Sequence, residues 1–396
     1  MPIERETIIA EAAKRTELVT RLLSELIQLD TVNPPGNEKI ATDYVGKFCE
    51  ARGIPFKTYD PGSNRTSLIA EIGTGQSPRL LIPAHTDVVP LGEGWTVPPL
   101  GGVVKDGYVW GRGATDDKGP LAGLLAAADY LKTVEGEFKG TLLLGAIADE
   151  EHGSDLGLDW LLKKCGVTAD MAFVPDIPSN LGVVEIAEKG LVNVRVIFHG
   201  KQAHSSTPWD GVSALAALAE MIHLTENWKP HGSDVKHPLL TGTTCIVTKA
   251  SAGIAHNIVP GKAEAVYNVR YLPHQTGTGI TQELRKMAEH IASRRKGVRA
   301  EVENIAELAP SEIKADSPCA QALYGAIKEL TGNTPEFVGV GGATLCKQLI
   351  WAGIPAAAFG PGDHNMPHMA DERISIDQLV KFTAVVIGAT LRAVGK

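Results

Sequence analysis

Short apolar runs of strand length recur along the first half of the chain, and acidic or histidine residues follow several of them. The runs that predict strands lie near residues 56–59, 67–72, 79–84, 141–148 and 171–174. His85 ends the third of these runs, and Asp176 follows the last one closely. In open α/β sheets, ligand sites lie at the carboxyl ends of the strands. The pattern therefore predicts an α/β fold with a site at one edge of its sheet.

Helical periodicity alternates with these strands. Leucines at turn spacing predict one helix over residues 5–29, which Pro34 and Pro35 end because proline cannot continue a helix. Further helices are expected over residues 38–52, 120–132 and 154–164, and one short strand over residues 103–109. The Gly- and Pro-rich passage 90–102 is expected to be a long functional loop.

From about residue 190 the pattern changes to a strand, helix, strand, strand, helix, strand series. Its elements are expected at residues 191–198, 211–225, 243–248, 263–270 and 280–294, with the last strand ending near residue 307. The chain then returns to helices at 319–331, 344–352 and 377–394, with a strand at 354–359. This series predicts a compact α/β unit inserted into a larger domain.

Composition and charge narrow the class of protein. A chain of 396 residues exceeds one ordinary core, so two domains are expected. The formal net charge of −8, without a basic block, disfavours a nucleic-acid partner, since phosphate binding needs clustered Lys and Arg. The five scattered cysteines fit a reduced cytoplasmic protein. The charged N-terminal segment and the lack of a long apolar run predict neither a secretory signal nor a membrane span.

His85 and Asp87 lie at the end of the strand predicted over residues 79–84. Residues i and i+2 share one side of a strand, so both side chains can point out of its end. A metal-binding imidazole commonly needs a carboxylate at its other ring nitrogen. The pair predicts a metal ligand with its orienting acid, although a solvated polar strand end would give the same pattern.

Two further turns are acidic. Asp116 and Asp117 lie between a strand and an Ala/Leu-rich helix, where an Asp could also cap the helix. Asp149, Glu150 and Glu151 follow the strand at 141–148. Three successive carboxylates are electrostatically costly unless a cation lies beside them, although they would also suit the N-terminus of a helix.

The candidate residues together have the chemistry of a zinc site. They are His85, Asp116, Glu150, Glu151, Asp176 and His368. The absence of cysteine pairs argues against a structural zinc site. Two ions about 3.5–4 Å apart need a shared anionic ligand, which a bidentate Asp supplies, and a free Glu can then serve as general base.

Taken in order, these motifs resemble those of the superfamily of dizinc peptidases that contains acetylornithine deacetylase, succinyl-diaminopimelate desuccinylase, aminoacylase and carboxypeptidase. The motifs are His85-Thr86-Asp87, Gly-Arg-Gly-Ala-Thr-Asp-Asp-Lys at 111–118, Asp149-Glu150-Glu151, Pro175-Asp176, Gly-Lys-Gln-Ala-His-Ser-Ser at 200–206, and the closing run 360–372. The resemblance covers essentially the whole chain. It implies a catalytic α/β domain with a central mixed sheet flanked by helices at residues 1–189 and 308–396. An inserted smaller α/β lid and dimerisation domain is implied at residues 190–307.

The resemblance also implies a ligand set. The implied ligands are His85 and Asp176 for one zinc ion, Glu151 and His368 for the other, and Asp116 as the bridge. Co²⁺ or Mn²⁺ stays an alternative to Zn²⁺, as does a one-metal site, because these ligands accept several divalent ions. His364 stays the alternative to His368, which is preferred because it directly precedes an x-x-Asp-Glu tail.

Roles beside the metal follow from the same resemblance. Glu150 is implied as the general base and Asp87 as the residue that orients His85. Asp117 stands where many relatives have Met, and it is expected to support the ligands rather than to bind metal. The family often has a cis peptide bond after the residue matching Asp116.

Three residues of the inserted domain are implied to act on the substrate. His204 would stabilise the oxyanion of the scissile carbonyl, reaching in from the partner subunit in dimeric members. Asn257 and Arg270 match positions that bind a substrate carboxylate. Simpler interpretations are a surface-loop histidine for His204 and a strand-end ion pair for Arg270.

One stretch departs from the family pattern. Many relatives carry Gly-Gly-Thr followed closely by Asp and Arg, whereas this chain reads Gly-Gly-Ala-Thr-Leu-Cys-Lys at residues 341–347. The departure puts recognition of the substrate side chain in doubt, and not metal binding.

The predicted function is metal-dependent hydrolysis of an amide bond in an N-acyl amino acid or a small peptide, by a metal-activated water. The predicted protein is a cytoplasmic homodimer whose partner is a small-molecule or short-peptide substrate with a free carboxylate. A general dipeptidase or carboxypeptidase of the same family is the enzymatic alternative. A non-catalytic metal-binding protein on the same scaffold is the alternative from another class, and Glu150 argues against it because a binding module needs no base.

Overall fold

The computed structural model describes residues 3–396. The chain divides into two compact units. The first comprises the described part of Met1–Ile186 together with Ile313–Val338 and Thr344–Lys396, and the second comprises Ala187–Glu312 with Gly339–Ala343. Within the described residues, no helix is both long enough and apolar enough to span a bilayer.

The regular elements are numbered along the chain. The helices are α1 (Arg5–Lys14), α2 (Thr16–Ile27), α3 (Lys39–Glu50), α4 (Lys118–Thr133), α5 (Leu158–Lys164), α6 (Ala214–Thr225), α7 (Gly277–Arg294), α8 (Pro318–Thr331), α9 (Cys346–Trp351) and α10 (Ile376–Val394). The strands are β1 (Phe56–Tyr59), β2 (Ser67–Gly73), β3 (Arg79–His85), β4 (Val103–Lys105), β5 (Tyr108–Trp110), β6 (Thr141–Ile147), β7 (Met171–Val174), β8 (Val183–Glu188), β9 (Gly190–His199), β10 (Thr244–Ala252), β11 (Lys262–Tyr271), β12 (Arg299–Leu308), β13 (Ser311–Glu312), β14 (Glu336–Val340), β15 (Ala356–Ala358) and β16 (Arg373–Ser375).

A mixed sheet forms the centre of the first unit, with the strand order β1-β2-β6-β3-β7-β15-β8. Its middle strands β6, β3, β7 and β15 run parallel. β1 and β2 pair antiparallel on one side, and β8 pairs antiparallel with β15 on the other. The predicted α/β class with a central mixed sheet flanked by helices is therefore confirmed.

The parallel strands are apolar because helices cover both faces of the sheet. Leu81 and Leu143 point to the face that α5 and α9 cover, where they join one core with Leu161 and Leu349. The helices α4 and α10 also pack against β3 and against each other. This packing buries every residue of β6, so its apolar run has no solvent-facing side.

Two elements that were predicted to be continuous in the first unit are divided, so both predictions are wrong. The helix expected over residues 5–29 is two helices, because Arg15 leaves the helical conformation at φ −98° and ψ 11°. The strand expected over residues 103–109 is the hairpin β4–β5. Asp106 and Gly107 both have positive φ, 53° and 80°, and an Asp-Gly pair in this conformation forms a tight hairpin turn.

The helix expected over residues 154–164 begins only at Leu158. The chain first makes a short 3₁₀ turn at Glu150–His152. Asp149 and Ser154, which flank this turn, have left-handed backbone conformations with φ of 67° and 64°. The acidic residues therefore lie on a tight turn after β6 and not on a helix.

The second unit is a four-stranded antiparallel sheet of order β10-β11-β9-β12, packed against α6 and α7. Val192, Val194 and Val196 alternate along β9 and point into its core. Leu218 of α6 and Leu284 of α7 pack on the same core. The alternation predicted for residues 191–198 is the half-buried pattern of a sheet with helices on one face.

Candidate metal centre

The carboxyl ends of the parallel strands bring the predicted ligands together. His85 is the last residue of β3, and Glu150 and Glu151 follow β6. Asp176 follows β7, and the segment containing His368 follows β15. Parallel neighbours end at the same edge of a sheet, so residues far apart in sequence converge there.

His85, Asp116 and Asp176 form a first group of potential ligands. One ligand atom from each lies within 4.8 Å of the others. Nε2 of His85 lies 2.8 Å from Oδ1 of Asp116. His85 is fully buried, whereas Asp116 and Asp176 are partly exposed. This group contains the residues that the family resemblance implies for one zinc ion, together with the implied bridge.

Asp116, Glu151 and His368 form a second group, again with ligand atoms within 4.8 Å of one another. Nε2 of His368 lies 3.3 Å from Oδ2 of Asp116 and 3.3 Å from Oε1 of Glu151. The two oxygens of Asp116 therefore face different groups. This placement of one carboxylate between two sets of ligands is what a bridging ligand needs.

The alternative histidine lies outside both groups. The His364 side chain is 78% exposed, and its Nδ1 lies 3.4 Å from Oδ1 of Asp363. The structure thus brings His368, and not His364, to the acidic cluster.

Asp87 connects His85 to the turn that carries the acids. Nδ1 of His85 donates to the backbone oxygen of Asp87 over 3.0 Å, and the nearest Asp87 carboxylate oxygen is 3.6 Å away. A carbonyl can only accept, so this hydrogen bond leaves Nε2 to face Asp116. The Asp87 carboxylate accepts the backbone N–H groups of Glu150 and Glu151, each over 3.1 Å. One carboxylate thereby fixes the turn of the predicted base.

Asp117 contacts the backbone of His85. Its Oδ2 accepts the backbone N–H of His85 over 3.0 Å, and its side chain belongs to neither ligand group. The Asp116–Asp117 peptide bond is cis, as the resemblance implies.

Carboxylates outnumber histidines in the cluster, so positive charge would stabilise it. Burial raises the pKa of Glu150 well above its usual value, and the nearby Asp176 and Glu151 carboxylates add to this effect. Burial likewise raises the pKa of Asp176, with Asp116 contributing repulsion. Buried carboxylates that resist ionisation become stable anions when a cation is close to them.

The two histidines supply part of this positive charge when they are protonated. Burial opposes the charged form of His85, but hydrogen bonds to Asp116 and Asp87 outweigh it and raise its pKa well above the usual value. Hydrogen bonds to Asp116 and Glu151 raise the pKa of His368 to about 10. The same two histidines hold the pKa of Asp116 far below its usual range, against its burial.

These residues fit divalent metal ions. The two groups offer imidazole nitrogen and carboxylate oxygen, the donor types that Zn²⁺ accepts and that Co²⁺ and Mn²⁺ also take. Each group supplies three protein residues, the number of protein ligands that catalytic zinc sites commonly have.

A buried network of hydrogen bonds that reaches Asp87 was not predicted from the sequence. Arg65 donates through Nη2 to Glu38 over 2.7 Å and to Asp149 over 2.6 Å. Asn33 donates to Asp87 over 2.9 Å and to Asp149 over 3.3 Å. Arg65 and Asp149 are 84 positions apart, and no local spacing relates them. The Pro34-Pro35 break beside Asn33 was the one signal that this segment is irregular.

The three predicted substrate-binding residues belong to the second unit. His204 is exposed, and its Nδ1 lies 2.7 Å from Oγ of Ser206. Asn257 is also exposed and pairs through its backbone oxygen with the N–H of Ser205. Arg270 lies on β11, is partly buried and donates to the backbone oxygen of Gly341 over 3.0 Å. His204 and Asn257 therefore lie on adjoining loops, while Arg270 is on a strand.

Comparisons with known proteins identify the family of the chain. The family model "Peptidase family M20/M25/M40" matches residues 81–392. The chain is 29% identical over 380 residues to the succinyl-diaminopimelate desuccinylase of Rhodospirillum centenum, across 92% of this chain and 94% of that protein.

Solved structures share the fold. Aminopeptidase PepT of Bacillus cereus superposes with a TM-score of 0.78 at 20% identity, over 96% of this chain and 98% of that one. The YXEP protein of Bacillus subtilis, described as a dinuclear metal-binding peptidase from family M20, superposes with a TM-score of 0.71 at 19% identity, over 97% and 99%. The match to the family model spans most of the sequence and includes every residue of both ligand groups, so the chain belongs to peptidase family M20/M25/M40.

Proposed function

We propose that this chain hydrolyses the amide bond of an N-acyl amino acid, with Glu150 as general base, at a site for two divalent metal ions. The observation that carries the proposal is the sharing of Asp116 between two groups of ligand atoms. Glu150 lies on the same turn as the ligand Glu151 and belongs to neither group. A carboxylate beside a metal site but free of it is the arrangement that a general base requires.

We assign the ligands as the family resemblance implies. His85 and Asp176 would hold one ion, Glu151 and His368 the other, and Asp116 would bridge them. When bound, a pair of such ions lowers the pKa of water and polarises the carbonyl of the substrate. Zinc is the proposed metal, since imidazole with carboxylate is a common catalytic zinc set, and Co²⁺ or Mn²⁺ are the alternatives.

Glu150 would take a proton from the attacking water and deliver it to the leaving amine. Burial raises the pKa of this carboxyl, and a higher pKa makes its carboxylate a stronger base for the first transfer. The backbone N–H of Glu150 donates to Asp87, which also accepts from Glu151. Asp87 would thereby keep the base and one ligand in a fixed relation.

The second unit would bind the substrate. We propose that His204 stabilises the oxyanion and that Asn257 and Arg270 bind the substrate carboxylate. Arg270 already donates one hydrogen bond to Gly341, and its guanidinium has further donors for a carboxylate. We also propose that residues 190–307 act as a lid and dimerisation domain in a cytoplasmic homodimer, with residues 1–189 and 308–396 as the catalytic domain.

An N-succinyl amino acid, such as N-succinyl-diaminopimelate, is the first substrate to test. The support is the name of the Rhodospirillum centenum relative, which aligns over 92% of this chain. Deacetylation of an N-acetyl amino acid and cleavage of dipeptides or C-terminal residues are the alternatives. The departure at residues 341–347 bears on this choice, since it falls where many relatives carry a fuller motif.

The test is a panel of N-succinyl-diaminopimelate, N-acetylornithine, other N-acyl amino acids and dipeptides, assayed with zinc-loaded and chelated protein. We expect zinc-dependent turnover, strongest for an N-acyl amino acid. Turnover of dipeptides alone would replace the deacylase by a general exopeptidase. If protein with two bound zinc ions cleaves no member of the panel, the proposal is wrong and a non-catalytic metal-binding protein is favoured.

A further inference from the structure

Arg112 is a buried arginine whose hydrogen bonds reach the segment of a metal ligand. It lies on the turn that precedes Asp116, and only 2% of its surface is exposed. Nη1 donates to the Glu372 carboxylate over 2.8 Å and to the backbone oxygen of Met369 over 3.1 Å. Nη2 donates to the backbone oxygen of His368 over 3.3 Å. The guanidinium thus connects the turn of the bridging aspartate to the segment of His368.

Glu372 connects the same two segments, because it lies in the segment of His368 and its side chain binds the turn of Asp116. Its side chain is fully buried, and Oε2 accepts from Arg112 and from the backbone N–H of Gly113 over 3.0 Å. Oε1 accepts the backbone N–H groups of Thr115 over 2.8 Å and of Asp116 over 3.2 Å. A side chain that follows His368 by four positions therefore holds the backbone of Asp116 itself.

His368 is in a conformation that needs such support. Its φ is 64°, in the left-handed region that residues other than glycine rarely adopt. Unfavourable conformations of this kind persist when the surrounding structure fixes them, and they concentrate at functional sites. The hydrogen bonds from Arg112 to the backbone oxygens of His368 and Met369 supply that constraint.

A third segment, the loop that contains Leu91 and Trp95, also contacts Arg112. Nη2 of Arg112 donates to the backbone oxygen of Leu91 over 3.1 Å, and the guanidinium lies 5.2 Å from the ring centroid of Trp95. The backbone N–H and the hydroxyl of Thr96 both donate to Asp371 over 2.8 Å. The long loop near residues 90–99 is therefore tied to the His368 segment both directly and through Arg112.

We infer that Arg112 and Glu372 are positioning residues, which hold the Asp116 carboxylate and the His368 imidazole in register and so set the affinity of the second ligand group for its ion. The first group shares Asp116, but its two other residues are held independently of Arg112 and Glu372. His85 ends the regular strand β3 and is held by Asp87 and Asp117, and Asp176 follows the regular strand β7. The inference rests on the two-ion site of the proposed function, but not on the identity of the substrate.

The test compares metal binding by the full-length chain carrying Arg112→Lys or Glu372→Gln with that of the wild type. Arg52→Lys is the matched control, because Arg52 is a partly buried arginine that pairs with Asp129 over 2.6 Å and touches no ligand segment. Each protein is freed of metal with a chelator and titrated with Zn²⁺ against a chromophoric competitor. The wild type and the control are expected to bind two ions.

We expect Arg112→Lys and Glu372→Gln to bind one ion about 10–100-fold more weakly, as is typical when a hydrogen bond that supports a ligand is lost. The affinity for the other ion should change much less, because Asp116 is the one residue that the two groups share. Two ions bound at wild-type affinity would overturn the inference. So would an equal loss of both ions from protein whose near-ultraviolet circular dichroism is native.

A further readout separates positioning from general damage. Excess Zn²⁺ should restore the turnover number of both variants, whereas a failure of excess metal to restore it contradicts a positioning role. If Arg112→Lys does not fold, Glu372→Gln still decides the question, because glutamine keeps the shape of the side chain. If the wild type binds two ions but cleaves no substrate, the proposed function fails while the binding comparison still judges this inference.

Discussion

Nε2 of His85 lies 2.8 Å from Oδ1 of Asp116, with the imidazole fully buried. Nδ1 of the same ring donates to the backbone oxygen of Asp87, so the ring cannot turn without losing that hydrogen bond. Hydrogen bonds to Asp116 and Asp87 raise the pKa of His85, so the protonated ring is favoured in the protein without metal. Metal binding at this centre is therefore an exchange of protons for metal ions.

This exchange predicts that the affinity for Zn²⁺ rises with pH. The pKa of His85 lies well above its usual value and that of His368 is about 10, so both rings are protonated at neutral pH without metal. Each must lose a proton to bind an ion, and the cost falls as the pH rises. Calorimetric titration in two buffers of different ionisation enthalpy should show proton release on binding. Affinity independent of pH between 6 and 8 would contradict the assignment of both histidines as ligands.

The stability of the metal-free protein should change with pH in the opposite sense. A histidine whose folded-state pKa is raised from 6.5 to about 10 stabilises the fold fully below pH 6.5, and this contribution is lost as the pH rises through about 10. The free energy of unfolding of the wild type, measured in chelator relative to His368→Gln, should therefore decline between these two pH values. A difference that stays constant would show that His368 gains no proton from its acidic partners.

The pair of histidines in the closing motif offers a matched comparison. His368 lies 3.3 Å from both Asp116 and Glu151, whereas His364 is largely exposed and lies near Asp363. We expect His368→Gln to lose one of two zinc ions and most of the activity, and His364→Gln to keep both. Zinc content by mass spectrometry after dialysis decides between them. Loss of zinc from His364→Gln alone would reassign the ligand.

Arg65 should be important for stability rather than for binding the substrate. It pairs with Glu38 and Asp149, and all three side chains are almost fully buried. Removing one partner of a buried ion pair leaves an uncompensated charge, which typically costs about 3–5 kcal/mol. We therefore expect Arg65→Gln to lower the free energy of unfolding by about that amount in urea titrations.

Lys163→Gln is the control for Arg65, because Lys163 pairs with Asp159 on the surface of a helix and is 67% exposed. Such pairs typically contribute about 0.3–0.5 kcal/mol. Equal effects of the two substitutions would mean that the buried network does not stabilise the fold.

The strands and the family could be predicted from the sequence because both depend on local patterns. The apolar runs that became β3, β6 and β7 cannot face water on either side, so their burial was evident. The histidine and the acidic residues at the ends of these strands are the predicted metal ligands and the predicted base. The family expected from these motifs was confirmed by the match over residues 81–392.

The residues that support the site could not be predicted, because their partners are distant in the chain. Arg112 and Glu372 each lie in a motif that carries the resemblance, but they are 260 positions apart and no local spacing pairs them. The short strands β8 and β16 were missed for a similar reason, since pairing with neighbours decides their conformation more than their own sequence does. The hairpin did carry a local signal in the sequence, the turn dipeptide Asp106-Gly107. Both of its residues have positive φ in the structure.

The role of Glu150 as general base is tested most directly by the rate of amide hydrolysis by Glu150→Gln. This rate is measured beside that of the wild type, at equal zinc content, on the best substrate of the panel. Glutamine keeps the size of the side chain but cannot accept a proton, and Glu150 belongs to neither ligand group. We predict two bound ions and a turnover number lower by about 10²–10⁴-fold, the usual contribution of a general base. A variant that binds two ions and hydrolyses the substrate at the wild-type rate would contradict the assignment of Glu150 as the base.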